Sequence, residues 1–271
     1  MPDPNRSRSL ADRLRDRDPV LGLIVKMPNP ALVEQARYLG FDLVVIDTEH
    51  GAGDDLLLEH HLRAAGSAGI DALVRVGSNS PLDILRALDA GAAGVIVPHV
   101  ADAAGAGEAV ASAHYPPRGR RGLAVSTRGG RYGDEPIDEY LARVAAQTVV
   151  VVQVEDEAGV RNAAEMVATP GVNGVWVGPG DLSASLGFPG QGDHPRVRAA
   201  VEQVVGEVVR SERTAAAVLV KSAHEIKEWH ALGASVFLIT SIDLFGRAAR
   251  ELVAAAGALD GARHDVKEAA Q

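Results

Sequence analysis

The stretch VVVVQVED, residues 149–156, decides how the chain is read. Four consecutive valines suit a parallel strand covered on both faces, since neither face then needs a residue for water. The run closes on Gln153, Glu155 and Asp156, groups that are costly to bury without partners. Side chains alternate along a strand, so Gln153 and Glu155 share one face and Asp156 takes the other. The first two are expected to enter a site. Asp156 is expected to cap the helical pattern EAGVRNAAEMV that follows.

Outward from this stretch the pattern repeats. Apolar runs occur at GLIVKM (22–27), DLVVID (42–47), DALVRV (71–76), GVIVPHV (94–100), GVWVGP (174–179), TAAAVLV (214–220) and SVFLITS (235–241). Between them lie segments with apolar residues three and four apart, several closing on glycine, as helices do. Eight strands with intervening helices predict an α/β fold, a (β/α)8 TIM barrel, with a doubly wound open sheet as the alternative. Neither G-x-G-x-x-G after the first strand nor G-x-x-x-x-G-K-[ST] occurs. One connection, AHYPPRGRRGLAVSTRGGRYGDEP (113–136), is long enough to suggest a functional loop. The barrel is expected over 19–260. A peripheral charged segment with a short helix precedes it over 1–18, and a polar tail follows over 261–271.

Composition narrows the function. With 46% hydrophobic residues among 271, the chain can build a sizeable core. The absence of cysteine excludes disulfides, thiolate metal sites and a cysteine nucleophile. A formal charge of −9 argues against nucleic acid, and the cluster Arg118, Arg120, Arg121 is too short to reverse that. No apolar signal region or membrane-length run is present, so the expected setting is cytoplasmic, with no membrane partner.

Barrel chemistry sits at the C-terminal ends of the strands, and the anomalous polar residues collect there. These are Asp47, Glu49 and His50 after the second strand, Arg75 after the third, Gln153 and Glu155 after the fifth, and Asp181 just past the sixth. Each alone reads equally well as a satisfied core group or a helix cap; together they read as a site. Two carboxylates from adjacent strands, Glu155 and Asp181, describe a hard oxygen site for Mg²⁺ or Mn²⁺, with Co²⁺ also accommodated. A 2-oxo acid chelated there would have its enolate stabilised by the ion and by Arg75. His50 is the natural proton carrier. Of the other histidines, His99 ends the fourth strand and is a candidate to line the pocket. His60, His61, His114, His194, His224 and His230 are read as structural or surface residues. Lys221, at a strand end, is the weaker alternative of a Schiff-base lysine.

The stretches FDLVVIDTEHG, LVRV, LRALDAGAAGVIVPHV, YPPRGRRGLAVSTRGGRYG, VVVQVEDEAGVRNAAEM and GVNGVWVGPGDLSASLGFPGQGDHPRV resemble, in order, the HpcH/HpaI family of metal-dependent (class II) pyruvate aldolases. The resemblance runs from about residue 20 to residue 245. It implies that Glu155 and Asp181 bind the ion, and that Gln153, Asp181 and the backbone at Gly180 contact the pyruvyl moiety. It further implies that His50 is the base, that Arg75 stabilises the enolate, and that Asp89 raises the basicity of the histidine, in some members across a subunit boundary. Asp47, Glu49, His99 and Arg121 are left as supporting positions. His99 stands where relatives often carry methionine, and Gly129 and Gly130 replace an alanine-containing segment. The family also implies a homo-oligomer, a hexamer, with the terminal helix IDLFGRAARELVAAAGAL exchanged between subunits. The expected activity is reversible cleavage of a 4-hydroxy-2-oxo acid to pyruvate and an aldehyde, with no nucleotide and no PLP. The alternatives are an acyl-CoA lyase of the citrate-lyase type, an oxaloacetate decarboxylase, and a binding barrel without activity.

Overall fold

The computed structural model describes residues 8–211 and 213–268. Eight parallel strands close a barrel in sequence order: β1 Val20–Val25, β2 Leu43–Asp47, β3 Asp71–Arg75, β4 Gly94–Val97, β5 Val149–Val154, β6 Gly174–Val177, β7 Ala215–Leu219 and β8 Val236–Thr240. The strand expected over 94–100 stops at Val97. Pro98 has no N–H to give the ladder, and His99 turns into the left-handed region at φ 55°.

Period-two alternation sorts the strand residues into two cores. Val149, Val151, Leu43, Val45, Leu73, Ile96, Trp176, Ala217, Val236 and Leu238 fill the barrel interior. Val150, Val152 and Val154 pack outward with Val44, Val74 and Val175 against the helices. The four valines that opened the reading therefore serve both layers, as a strand buried on both faces requires.

The helices are α1 Leu10–Arg15, α2 Pro30–Leu39, α3 Asp55–Ala68, α4 Pro81–Asp89, α5 Ala103–Ala113 and α6 Ile137–Gln147, then α7 Glu157–Arg161, α8 Ala163–Ala168, α9 Pro179–Ser185, α10 Pro195–Arg210, α11 Ala223–Ala231 and α12 Ser241–Glu268. Polar residues just past several strands are N-caps. Asn29, Asp54, Ser80, Asp102, Asp156 and Ser222 each accept a hydrogen bond from a first-turn amide. This separates Asp156, bonded to Gly159 N at 2.6 Å, from Glu155 beside it.

One expectation needs correction. Of the segment read as peripheral, residues 1–7 lie outside the described residues, and residues 8–18 are not peripheral, because Leu10, Ala11 and Leu14 of α1 are buried in the inner core. The helix is latched by Arg13, which reaches Asp42 at 3.1 Å and the Pro19 carbonyl at 2.9 Å. At the other terminus α12 continues past Gly261 to Glu268. Among the described residues no helix is long and apolar enough to cross a membrane.

Close strand contact puts a strict limit on β4. A Cβ at Gly94 would lie 2.1 Å from the Val149 carbonyl oxygen. Gly94→Ala is expected to destabilise the fold by about 1–3 kcal/mol, as overpacking does. Urea unfolding should show a lower midpoint with an unchanged slope.

Candidate active site

The C-terminal ends of the strands carry a connected set of charges. Asp47 and Arg75 are register partners on β2 and β3. Both are buried, and the guanidinium donates to both oxygens of Asp47, with Nε to Oδ1 at 3.0 Å. Asp47 Oδ1 also accepts from the backbone N–H of Glu49 and of His50, at 3.2 and 3.1 Å. Burial would raise the Asp47 carboxyl, but the hydrogen bonds and charge of Arg75, with the His50 amide and the Lys26 ammonium, hold it below its ordinary value. Arg75 extends further, with Nη1 3.1 Å from Glu49 Oε2 and its carbon centre 5.2 Å from the Trp176 ring.

On β5, Gln153 and Glu155 point inward as their spacing requires. Gln153 Nε2 donates to Glu155 Oε2 at 2.7 Å. Glu155 Oε1 accepts the His99 backbone N–H at 2.7 Å and lies 2.8 Å from His99 Nδ1. Burial pushes the Glu155 carboxyl up to about 7; the His99 amide and ring oppose the rise, and the charges of Glu49 and Asp181 add to it. Gly178 makes room for this pair, since a Cβ there would sit 2.6 Å from Gln153 Nε2 and 3.1 Å from Glu155 Oε2.

Arg75 and Gln153 line a cavity of about 240 Å³ with His50, Gly178, Gly180 and Asp181, together with Lys26, Trp176, Leu219 and Thr240. The His50 side chain is half exposed, with Nε2 3.8 Å from Glu49 Oε2. Gln153 Oε1 and the Trp176 indole N–H are buried without a hydrogen-bond partner among the described residues. An acceptor and a donor left open on one cavity wall are what a polar ligand would satisfy. Glu49, His99 and Glu155 each offer a ligand atom within 4.8 Å of the others. Asp181 belongs to the same cavity but stands outside that group of three.

Two positions lie elsewhere. Asp89 closes α4, which runs from the end of β3 back to the start of β4, so it sits at the opposite end of the barrel from His50. There it meets Arg121 at 2.7 Å, and Arg121 lies over the Tyr115 ring at 4.8 Å. Within one chain Asp89 and Arg121 are joined to each other and not to the site. Lys221 is exposed and paired with Asp193 at 2.6 Å, which leaves no ground for a Schiff-base role.

The model for HpcH/HpaI aldolase/citrate lyase matches residues 21–240. The chain belongs to that family. A 5-keto-4-deoxy-D-glucarate aldolase of Klebsiella pneumoniae is 40% identical over 184 residues, 68% of this chain and 71% of its own length. A 4-hydroxy-2-oxo-heptane-1,7-dioate aldolase of Escherichia coli is 34% identical over 243 residues, 89% and 91% of the two chains. The crystal structure of a family protein from Burkholderia cenocepacia superposes with a TM-score of 0.85 at 31% identity, covering 91% of this chain and 98% of that one. The barrel and the aldolase-type lyase activity expected from the sequence agree with these relatives.

The family residues do not exhaust the cavity. Lys26 follows β1 in the inward register of Ile24, and the strand-end rule that selects Arg75 selects it as well. Trp176 carried no such signal, because an indole inside an apolar run reads as ordinary core.

The Glu155 environment generates a stability prediction for chelator-treated protein. Its folded-state value near 7 lies above the ordinary 4.5, so the folded chain holds the proton more tightly. That contribution is complete below about 4.5 and is lost as pH rises through about 7. Glu155→Gln, which cannot ionise, should therefore unfold at higher urea than wild type at pH 8. The gap should close as pH is lowered toward 5; midpoints that stay parallel across that range would contradict the assignment.

Proposed function

We propose that the protein catalyses the reversible, divalent-metal-dependent cleavage of a 4-hydroxy-2-oxo acid into pyruvate and an aldehyde. The observation that carries this reading is one cavity shared by a fixed guanidinium, Arg75, a half-exposed imidazole, His50, and the amide of Gln153 beside the buried carboxylate Glu155. The donor chemistry fits a hard ion. Glu155 is a carboxylate whose charge burial disfavours, and Glu49, His99 and Glu155 each offer a ligand atom within 4.8 Å of the others. Glu155 and Asp181 would hold Mg²⁺ or Mn²⁺, with Co²⁺ as a further candidate. When bound, the ion supplies Lewis acidity toward the oxygens of the 2-oxo acid.

The residues of the chain account for the remaining roles. Gln153 and the backbone at Gly180 orient the pyruvyl end. His50 takes the proton from the 4-hydroxyl as the C3–C4 bond breaks, and the bond's electron pair moves into the C2–C3 enolate. Arg75 cannot lose its own proton and is held on two sides, so it meets the developing oxyanion with little reorganisation. The aldehyde leaves, and His50 returns the proton to C3 to give pyruvate. In an eight-stranded barrel β1 lies across from β5, so the far end of the substrate points toward Lys26. The E. coli relative is named for a dioate. Lys26 Nζ, 3.7 Å from Asp47 Oδ2 and without a hydrogen bond to it, suits a second carboxylate at that end.

An acyl-CoA substrate finds less support. Arg118 donates to the Ala145 carbonyl, Arg120 pairs with Glu108, and Arg121 pairs with Asp89, which engages all three cations of that cluster. Assays across a panel of 4-hydroxy-2-oxo acids, with pyruvate release as the readout, test the reading. Activity should disappear with a chelator and return with Mn²⁺ or Mg²⁺. Arg75→Lys should lower kcat by about 10²–10³, the range for removing an oxyanion donor. Full activity of Glu155→Ala in chelator would overturn the mechanism.

Assembly belongs to the same proposal. Phe245, Leu252 and Val253 of α12 are each more than two-thirds exposed in the single chain. Their cover in our reading is a second copy, in a hexamer that exchanges this helix. Asp89 would act on a histidine only across such an interface. Phe245→Asp with Leu252→Asp should give a smaller particle by light scattering while circular dichroism stays unchanged.

A further inference from the structure

We infer that His99 is a direct nitrogen donor to the divalent ion, so that the site mixes nitrogen and oxygen ligands. This rests on the metal-dependent reading above and adds a ligand beyond Glu155 and Asp181.

Three observations converge on His99. The first is its backbone, at φ 55°, a conformation that a residue other than glycine adopts at a penalty of order 1 kcal/mol. The residue is held there by its own N–H, which donates to Glu155 Oε1 at 2.7 Å. The second is the placement of the ring. Its Nδ1 lies 2.8 Å from Glu155 Oε1 and its Nε2 lies 3.1 Å from Glu49 Oε1. Adjacent ligands on an octahedral ion with bonds of about 2.1 Å stand about 3.0 Å apart, so either pair has the separation that one coordination sphere requires; the ion takes one ring nitrogen and the other donates its N–H to the facing carboxylate.

The third observation is a proton count. A neutral imidazole has one N–H and one lone pair, yet carboxylate oxygens face both ring nitrogens. The lone pair would meet an anion unless a cation lies between them. Without an ion, both contacts need one further proton, held on the ring or on one of the two carboxyls. The side chains of those acids are 93% and 98% buried, whereas that of His99 is 63% exposed, which leaves the ring open to the mouth where an ion enters.

Imidazole binds Co²⁺ and Mn²⁺ more readily than Mg²⁺, which prefers oxygen and keeps its waters. His99 therefore biases the site toward the transition ions.

Electron spin echo modulation on Mn²⁺-loaded protein tests the bond itself. Wild type should show the coupling of a directly bound ¹⁴N, and His99→Gly and His99→Asn should both lose it; each replacement tolerates the left-handed backbone. Calorimetric titration of the chelated protein supplies the second readout. Either substitution should weaken Co²⁺ binding by about tenfold or more and Mg²⁺ binding by less than about threefold. Mn²⁺ bound with the same spectrum in wild type and variants, or equal losses for the two ions, would overturn the nitrogen bond and leave the aldolase reading standing. Failure of wild type to bind any of these ions would remove both.

Discussion

A guanidinium placed inside the mouth of a barrel requires a buried counter-charge, and the structure above the core is arranged around that requirement. Asp47 meets Arg75 from the neighbouring strand in direct register, with both side chains almost wholly buried. Removing one member of such a pair leaves the other uncompensated, at about 3–5 kcal/mol. The same carboxylate also accepts the amides of Glu49 and His50. One acid thus sets the direction of the cation and shapes the loop that carries His50. Trp176 and Glu49 complete the seating of Arg75 from the remaining sides.

Strand order and side-chain direction were legible because both follow from local periodicity. The spacing of Gln153 and Glu155 placed them on one face, and Asp156 on the other, where it caps α7. The cap reading was correct for Asp156 and does not describe Asp181, since the N-cap of α9 is Gly178, which has no side chain to offer. What periodicity cannot carry is contact between residues distant in sequence. Glu49, His99 and Glu155 come together from three strand ends across more than a hundred residues, through a backbone turn at His99 that no propensity announces. The peripheral reading of α1 failed for a related reason. Six residues rich in charge gave little hint that Leu10 and Leu14 close the lower end of the barrel.

Asp89 marks a different boundary. Its place at the end of α4 is fixed by topology, and the same topology keeps it from the histidine of its own chain. A residue whose role depends on a second molecule leaves no trace in the periodicity of one. Its partner in the single chain is Arg121, a buried residue of the long loop that lies over the Tyr115 ring.

Trp176 invites a last consideration. Its register neighbours are Gln153 on one side and Ala217 on the other, and Gly178 follows it two residues on. The indole, flanked by Gln153 and Ala217 and overlaid by Arg75, forms a floor between the packed interior and the cavity. Depth and fold are therefore separable traits in this barrel. The depth of the cavity is bounded by one core side chain on β6, whereas its walls are residues at the strand ends, so floor and walls belong to different layers of the barrel.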